Sequence, residues 1–207
     1  MNCLKALQME LTAQQNNVLD KIKAFMQSDA SVFILRGYAG TGKTTMVKVI
    51  ADYIVQCRNV FLMAPTGRAA RILSQKTGHE AVTIHKAIYD KACIVSKNVN
   101  DIADLEFKFV FPIRSEERNV VAIIDEASMV CSRRIEHELF MFGTDNLMED
   151  LLTFVRPNFG GKVIFVGDPA QLPPVGEKVS NALRAEYFQE KGLKVMEAEL
   201  TEVLRQK

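Results

Sequence analysis

Residues 37–44, GYAGTGKT, have the types and the spacing of a loop that binds phosphate. The segment fits G-x-x-x-x-G-K-[ST] at every fixed position. Its glycines let backbone N–H groups turn inward around phosphate oxygens, while Lys43 should reach the β- and γ-phosphates and Thr44 should ligate Mg²⁺. We therefore expect ATP and Mg²⁺ as cofactors; the alternative is a glycine-rich turn before an ordinary helix. The residues expected to bind the nucleotide here are Gly37, Gly40, Thr41, Gly42, Lys43, Thr44 and Thr45.

An acidic pair, Asp125 and Glu126, directly follows the apolar run 120–124, VVAII. Asp125 would hold Mg²⁺, directly or through water, and Glu126 would accept a proton from the water that attacks the γ-phosphate. The alternative is that the two carboxylates only begin the next loop or helix, where they are also favoured. The phosphate loop upstream favours the catalytic interpretation.

Two further polar residues could act on the γ-phosphate. Gln171 lies in the stiff segment GDPAQLPP, 167–174, after the apolar run 163–166, and could donate to a phosphate oxygen. Arg205, near the C-terminus, could stabilise charge on a transferring phosphoryl group. On local chemistry alone, a solvated glutamine and an arginine on a frayed tail are the better interpretations.

Short apolar runs alternate with helical patterns and would position these residues. The runs are rich in β-branched residues and predict strands buried on both faces. They are residues 32–35, 60–63, 120–124 and 163–166. Residues 11–26 and 43–56 carry apolar stripes at helical spacing. The alternation predicts an α/β fold, a P-loop NTPase whose parallel sheet is flanked by helices.

Residues 86–119 interrupt this rhythm. Phe107, Phe109 and Phe111 recur at period two, which predicts a half-exposed strand, and residues 92–95 could be its hairpin partner. We interpret 86–119 as a small β insertion in one domain that covers 1–207.

Composition limits the remaining classes. The 207 residues are 48% hydrophobic and 25% charged, as in a globular domain with a sizeable core. The net charge of +1 means that any DNA contact must come from a local patch. The four cysteines are far apart, which suggests free thiols, and no apolar run could span a membrane. We expect a cytoplasmic protein without a membrane partner; its oligomeric state stays unknown.

Seven motifs occur in one order that resembles superfamily 1B DNA helicases of the RecD-like and Dda-like kind, the exonuclease V alpha subunit family. The resemblance covers about residues 11–205 and implies a RecA-like motor domain. The phosphate loop, the acidic pair and residues 167–173 look like motifs I, II and III, and 200–206 like the segment with the arginine finger. The resemblance thereby implies that Gln171 contacts the γ-phosphate and that Arg205 is the finger.

Three other motifs add expectations by the same resemblance. LTAQQ, 11–15, looks like the Q motif, in which Gln15 would read adenine, although Thr12 and Gln15 also form a capping-box pattern. APTGRAA, 64–70, and TIHK, 83–86, look like motifs that contact single-stranded DNA. The DNA-binding residues so implied are Pro65, Thr66, Arg68 and His85. The alternatives are a helix N-cap for Thr66 and a core or surface histidine for His85.

The insertion looks like the small pin domain with which the family separates strands; the alternative is a hairpin that packs its own aromatics. Helicases of this type close two RecA-like domains around ATP, and this chain has only the first. We therefore expect a segment of a longer protein, a DNA helicase that binds nucleotide but alone hydrolyses it slowly and unwinds nothing. A P-loop kinase of a small molecule and a nucleotide-gated binding module are the competing classes.

Overall fold

The computed structural model describes residues 11–96, 107–114, 119–156 and 159–204. The helices in these ranges are α1 (Ala13–Gln27), α2 (Lys43–Ile54), α3 (Gly67–Thr77), α4 (Ile84–Ile88), α5 (Leu147–Val155) and α6 (Ala185–Gln189). The strands are β1 (Val32–Gly37), β2 (Val60–Ala64), β3 (Ala81–Thr83), β4 (Cys93–Ser96), β5 (Phe107–Phe111), β6 (Val121–Ile124), β7 (Phe140–Phe142), β8 (Lys162–Gly167) and β9 (Val195–Leu200). Single 3-10 turns lie at Ala127–Met129 and Asn181–Leu183.

A six-stranded parallel sheet forms the main body, in the order β3-β2-β6-β8-β1-β9. This is the predicted α/β fold with a parallel sheet. Strand β8 lies between β1 and β6, so the carboxyl ends of these three strands are neighbours. The phosphate loop follows β1 and the acidic pair follows β6, and the strand order therefore brings both to one edge of the sheet.

Both faces of this sheet are covered, which explains why its four central strands, β2, β6, β8 and β1, are largely apolar. Successive residues of β1 point to opposite sides: Phe33 and Leu35 pack with α1 and α2, and Val32 and Ile34 pack with α5 and α6. All four are fully buried. Strands β3 and β9 were not anticipated. β3 has only three residues, and β9 is a half-exposed edge strand whose alternation does not form an apolar run.

The helices begin where the local sequence supplies a cap or a turn. Thr12 and Thr66 are the N-caps of α1 and α3 and accept a hydrogen bond from the backbone of the third helical residue. Helix α2 begins instead after Gly42, which has a left-handed backbone with φ of 83°. Within the described ranges, no helix has both the length and the apolarity that crossing a bilayer requires.

A second, three-stranded sheet has the order β4-β5-β7. Strands β4 and β5 pair antiparallel with Ile94 opposite Phe109, close to the predicted hairpin. The predicted bounds 86–119 differ from the structure at both ends. Residues 86–88 belong to α4, which packs into the main core, and β7 pairs parallel with β5 from outside the predicted range. Residues 97–106 and 115–118 of the insertion lie outside the described residues.

The central strand β8 generates a stability prediction. Phe165 is fully buried and stacks on Phe188 of α6, with ring centroids 5.2 Å apart. Phe165→Ala should lower the free energy of unfolding by about 3–5 kcal/mol because it removes that contact and leaves a cavity. Urea denaturation measures this change. A loss below about 1 kcal/mol would show that β8 does not lie in the core.

Candidate nucleotide-binding and catalytic site

The phosphate loop joins β1 to α2 and has the backbone that its glycines permit. Gly40 and Gly42 have φ of 81° and 83°, in the left-handed region that other residues avoid. Thr41 is buried, and its Oγ1 donates to the Tyr38 carbonyl at 2.8 Å. A Cβ on Gly37 would come within 2.7 Å of that same Oγ1. The loop is therefore closed on itself, and its shape depends on glycine.

The ammonium group of Lys43 lies inside this loop. Its Nζ donates to the carbonyls of Gly37, at 2.6 Å, and Tyr38, at 2.9 Å, and lies 3.6 Å from Asp168 Oδ2. Asp168 is 5% exposed and follows β8 directly. Asp168 was not among the predicted site residues. The signal was present, because an acid directly after a buried strand is the same pattern that identified Asp125.

Asp125 and Glu126 follow β6 at the neighbouring strand end. Asp125 is 8% exposed, and its N–H donates to the Met63 carbonyl at 2.9 Å. Burial, and then the charge of Glu126, raise the pKa of Asp125 to about 6. Lys43 and Lys76 oppose this increase. A protonated or cation-paired carboxylate is thus favoured at this position.

Glu126 carries two features that are costly unless they serve a ligand. Its φ is 52°, a left-handed conformation that is strained for a residue with a side chain. Its Oε2 is buried and has no hydrogen-bond partner in the described part of the chain. A buried, unpaired carboxylate oxygen beside a cavity is able to accept a proton or bind a cation.

These elements enclose a cavity of about 770 Å³, which is in the range of small-ligand sites. The loop and α2 form one side, and residues from the ends of β6 and β8 form the other. The lining residues are Ala39, Gly40, Gly42, Lys43, Thr44, Thr45, Lys48, Lys76, Glu126, Asp168, Gln171 and Leu204. Of the predicted nucleotide residues, Gly37 and Thr41 do not line the cavity and instead support the loop. Lys48 and Lys76 were not predicted; they add positive charge to the wall.

Gln171 reaches the cavity from the loop after β8. Its Oε1 accepts a hydrogen bond from the Oγ of Ser128, at 2.5 Å, and Ser128 is fully buried after the acidic pair. This contact fixes the amide, so the amide nitrogen is left to donate elsewhere. Ser128 thus orients Gln171, a role that could not be predicted from any local pattern of residues.

Gln15 forms the capping box, and the rest of its amide faces the phosphate loop. The Thr12 N–H donates to Gln15 Oε1 at 3.1 Å, and the Gln15 N–H donates to Thr12 Oγ1 at 3.3 Å, which completes the capping box. Gln15 is 3% exposed, and its Nε2 is buried without a partner among the residues that the structure describes. A Cβ on Gly42 would come within 2.7 Å of Nε2, so this donor lies against the phosphate loop.

The predicted DNA residues lie apart from the cavity, and none of them lines it. Pro65, Thr66 and Arg68 follow β2, and His85 is in α4 after the adjacent β3. Thr66 is exposed, and its Oγ1 accepts from Ala69 N–H at 3.2 Å, so this side chain is the N-cap of α3.

His85 is neither a core histidine nor a fully solvated one. The residue is exposed at the surface, but its ring lies 5.6 Å from that of Tyr89 and 5.4 Å from that of Phe142. Desolvation by these neighbours lowers the pKa of His85, which favours a neutral ring at pH 7. A neutral ring can stack or donate one hydrogen bond, but adds no charge.

Arg205 lies outside the described residues. Leu204, which precedes it, donates its N–H to the Gly40 carbonyl at 2.9 Å, and its Cδ1 would be 3.0 Å from a Cβ on Gly42. The chain therefore passes directly along the phosphate loop just before residue 205.

Comparison with known proteins gives this site a context. A family model described as an AAA domain matches residues 10–207. The ATP-dependent RecD2 DNA helicase of Deinococcus radiodurans is 32% identical over 166 residues, which cover 80% of this chain and 18% of that protein. The ATP-dependent DNA helicase Dda of Enterobacteria phage T4 is 29% identical over 202 residues, covering 95% of this chain and 40% of that protein. This chain therefore spans less than half the length of either relative.

Solved structures agree on the fold. The Pif1 helicase from Bacteroides in complex with ADP-AlF3 and ssDNA superposes on 96% of this chain and 44% of that chain, with a TM-score of 0.52 and 22% identity. At this identity the similarity shows the fold, which is the P-loop RecA-like fold of those helicases.

The raised pKa of Asp125 predicts how stability depends on pH. The folded protein binds a proton at this group more tightly than the unfolded chain does, so its stability falls as the pH rises from about 4 to about 6. Asp125→Asn removes this penalty, and without divalent cations its free energy of unfolding at pH 8 should exceed that of the unsubstituted protein by about 1–3 kcal/mol. The difference should shrink towards zero near pH 4. Urea denaturation at both pH values tests this; a difference that does not vary with pH would contradict it.

Proposed function

We propose that this chain, which belongs to the AAA domain family, is the ATP-binding and ATP-hydrolysing motor domain of a DNA helicase. One observation carries the proposal. Lys43, Glu126 and Gln171 come from three different segments and line one cavity at adjacent ends of parallel strands. A cation for phosphates, an unpaired carboxylate and an oriented amide are the groups that hydrolysis of a nucleoside triphosphate requires.

Each group has a role that follows from its surroundings. The loop N–H groups and Lys43 hold the phosphates and balance their charge. Glu126 Oε2, which lacks a partner among the described atoms, accepts the proton of the attacking water. Gln171, held by Ser128, donates its amide N–H to the γ-phosphate or to that water. By resemblance, Arg205 would stabilise the charge that develops on the transferred group.

The residues fit a magnesium ion held mainly by the nucleotide. Thr44 is at the cavity wall, and Asp125 is a buried carboxylate at the neighbouring strand end. The described residues contain no group of three or more His, Cys, Asp or Glu side chains that would hold a metal on their own. Mg²⁺ keeps several waters and needs only one or two protein ligands besides phosphates. When bound, it would neutralise phosphate charge.

We also propose that single-stranded DNA binds along Pro65, Thr66, Arg68 and His85. The support is their common position after the adjacent strands β2 and β3, and the structure of the Bacteroides Pif1 helicase in complex with ssDNA. The small sheet would separate strands at this end. Unwinding belongs to the whole protein, in which a second RecA-like domain would complete the motor.

A small-molecule kinase fits less well. A kinase passes the phosphoryl group to its substrate, so it has no use for a carboxylate placed to activate water. Both Glu126 and Gln171 line the cavity and would have no role. A nucleotide-gated binding module that does not hydrolyse ATP would likewise not explain why Glu126 adopts a strained, left-handed backbone.

Glu126→Gln tests the proposal directly. The amide cannot accept the water's proton, so phosphate release in the presence of single-stranded DNA should fall by about 100-fold or more, while ATP still binds. Malachite-green detection of phosphate and the binding of a fluorescent ATP analogue measure the two properties. Glu199→Gln is the matched control, since Glu199 is exposed on β9, away from the cavity. Unchanged phosphate release in Glu126→Gln would remove the glutamate from the mechanism.

Gln15→Ala tests the proposed adenine contact. Loss of the Nε2 donor should weaken ATP binding by about tenfold and leave GTP binding unchanged. Thr12→Ala is the control, because it breaks the capping box and should cost about 0.5–2 kcal/mol of stability without changing the preference for ATP. Equal losses for ATP and GTP in Gln15→Ala would mean that the residue acts only through the loop.

A further inference from the structure

The most completely buried charge outside the ATP cavity is Asp150, on α5. It is 0% exposed, and its carboxylate accepts hydrogen bonds from three donor groups. Tyr89 Oη donates at 2.6 Å, Thr144 Oγ1 at 2.7 Å, and the Thr144 N–H at 3.1 and 3.2 Å to the two carboxylate oxygens. A buried carboxylate is tolerated only when it is paired in this way, so these donors are tied to it.

The chain around Asp150 is shaped to fit the carboxylate. Gly143 has φ of 51°, and a Cβ there would lie 2.3 Å from Asp150 Oδ2. The Gly143 N–H donates to the Phe111 carbonyl at 2.9 Å, and Asp145 Oδ1 accepts the Phe142 N–H at 3.1 Å. The turn that ends β7 therefore wraps Asp150 closely and remains bonded to the small sheet.

Asp150 joins two segments that the proposed function assigns to DNA. Tyr89 directly follows α4, the helix of His85, and Thr144 is two residues after β7 of the small sheet. The ring of Phe142, the last residue of β7, lies 5.4 Å from both the His85 ring and the Tyr89 ring. The carboxylate thus fixes α4 and β7 to one point of α5.

From Phe142 a row of phenylalanines continues across one face of the small sheet. Phe142 stacks on Phe111 at 4.4 Å, and Phe109 stacks on Phe140 at 5.8 Å. The outer members Phe107, Phe109 and Phe140 are 53%, 38% and 43% exposed. The position of this phenylalanine face relative to His85 is therefore set where Phe142 meets Tyr89 and where the backbone of residues 88–90 bonds to that of residues 112–114.

We propose that Asp150 and Tyr89 are positioning residues for single-stranded DNA. The hydrogen bond between their side chains helps to hold His85 and the phenylalanine face in one fixed arrangement. The inference rests on the proposed function. Neither residue touches DNA. A strand that crosses both surfaces binds more tightly when their spacing is set beforehand, because less conformational freedom is lost on binding.

Tyr89→Phe tests the inference, since it deletes one hydroxyl and keeps the ring. Fluorescence anisotropy with a labelled oligo-dT should show a Kd about five- to tenfold higher, with the Kd of a fluorescent ATP analogue unchanged. Hydrogen exchange in the DNA-free chain should accelerate at the amides of Phe109, Gly143 and Thr144 and stay unchanged in β1. Asp150→Asn should weaken DNA binding at least as much.

Tyr187→Phe is the matched control. Its Oη donates to Glu149, the neighbour of Asp150 on α5, at 3.3 Å, but away from the small sheet. A normal oligo-dT affinity in Tyr89→Phe would overturn the inference, and so would an equal loss in Tyr187→Phe or a parallel loss of ATP affinity. Failure of the unsubstituted chain to bind oligo-dT would refute the proposed DNA function itself, and with it the positioning role. That outcome is measured on the unsubstituted chain alone, so it can be told apart from a failure of the positioning role.

Discussion

The ammonium of Lys43, held between two loop carbonyls and the carboxylate of Asp168, is the contact on which the ATP site depends. A largely buried cation must be paired, and its partners come from two neighbouring strand ends, those of β1 and β8. Arg36 of β1 lies opposite Gly167 of β8 in the sheet. Asp168, the residue after Gly167, therefore lies beside the start of the phosphate loop. Because β6 lies next to β8 in the sheet, the same register places Asp125 and Glu126 near a ligand that Lys43 binds.

Two kinds of structural cost, unpaired buried atoms and backbone strain, occur at this point. Three buried side-chain atoms lack a partner in the described part of the chain, and two of them, Gln15 Nε2 and Glu126 Oε2, adjoin the ATP cavity or its loop. Glu126 also has a left-handed backbone. Unpaired polar atoms and strain persist only when the surrounding core stabilises the fold sufficiently, and here that core covers both faces of the sheet. The location of these atoms beside the cavity or its loop is a structural observation that does not depend on any sequence pattern.

The sequence allowed prediction of those parts that local chemistry determines. The phosphate loop and the acidic pair are recognisable because each needs particular residue types at consecutive positions. Asp168 follows an apolar run as Asp125 does, but its pairing with Lys43 depends on β8 lying beside β1, and strand order is not local information. Strand β7 was missed because three residues, Phe-Met-Phe, are too few to show a period. The sequence offered two roles for Gln15, the capping box and the adenine contact. The structure shows that its oxygen accepts the capping-box hydrogen bond and that its nitrogen has no partner among the described residues.

The small sheet is joined to the main body through the backbone after α4 and through α5. Asn146 caps that helix through the Glu149 N–H and donates its own amide to the Ser132 carbonyl at 2.9 Å. Ser132 in turn donates to Glu177 through both its N–H and its hydroxyl. Ser132 follows the acidic pair, and Glu177 follows the loop of Gln171. The helix that carries Asp150 is therefore bonded to the two segments that form the wall of the ATP cavity, and its buried face anchors it in the main core. Because Asp150 in turn bonds to the segments after α4 and β7, hydrogen bonds and packed side chains connect the surface proposed for DNA to the ATP site.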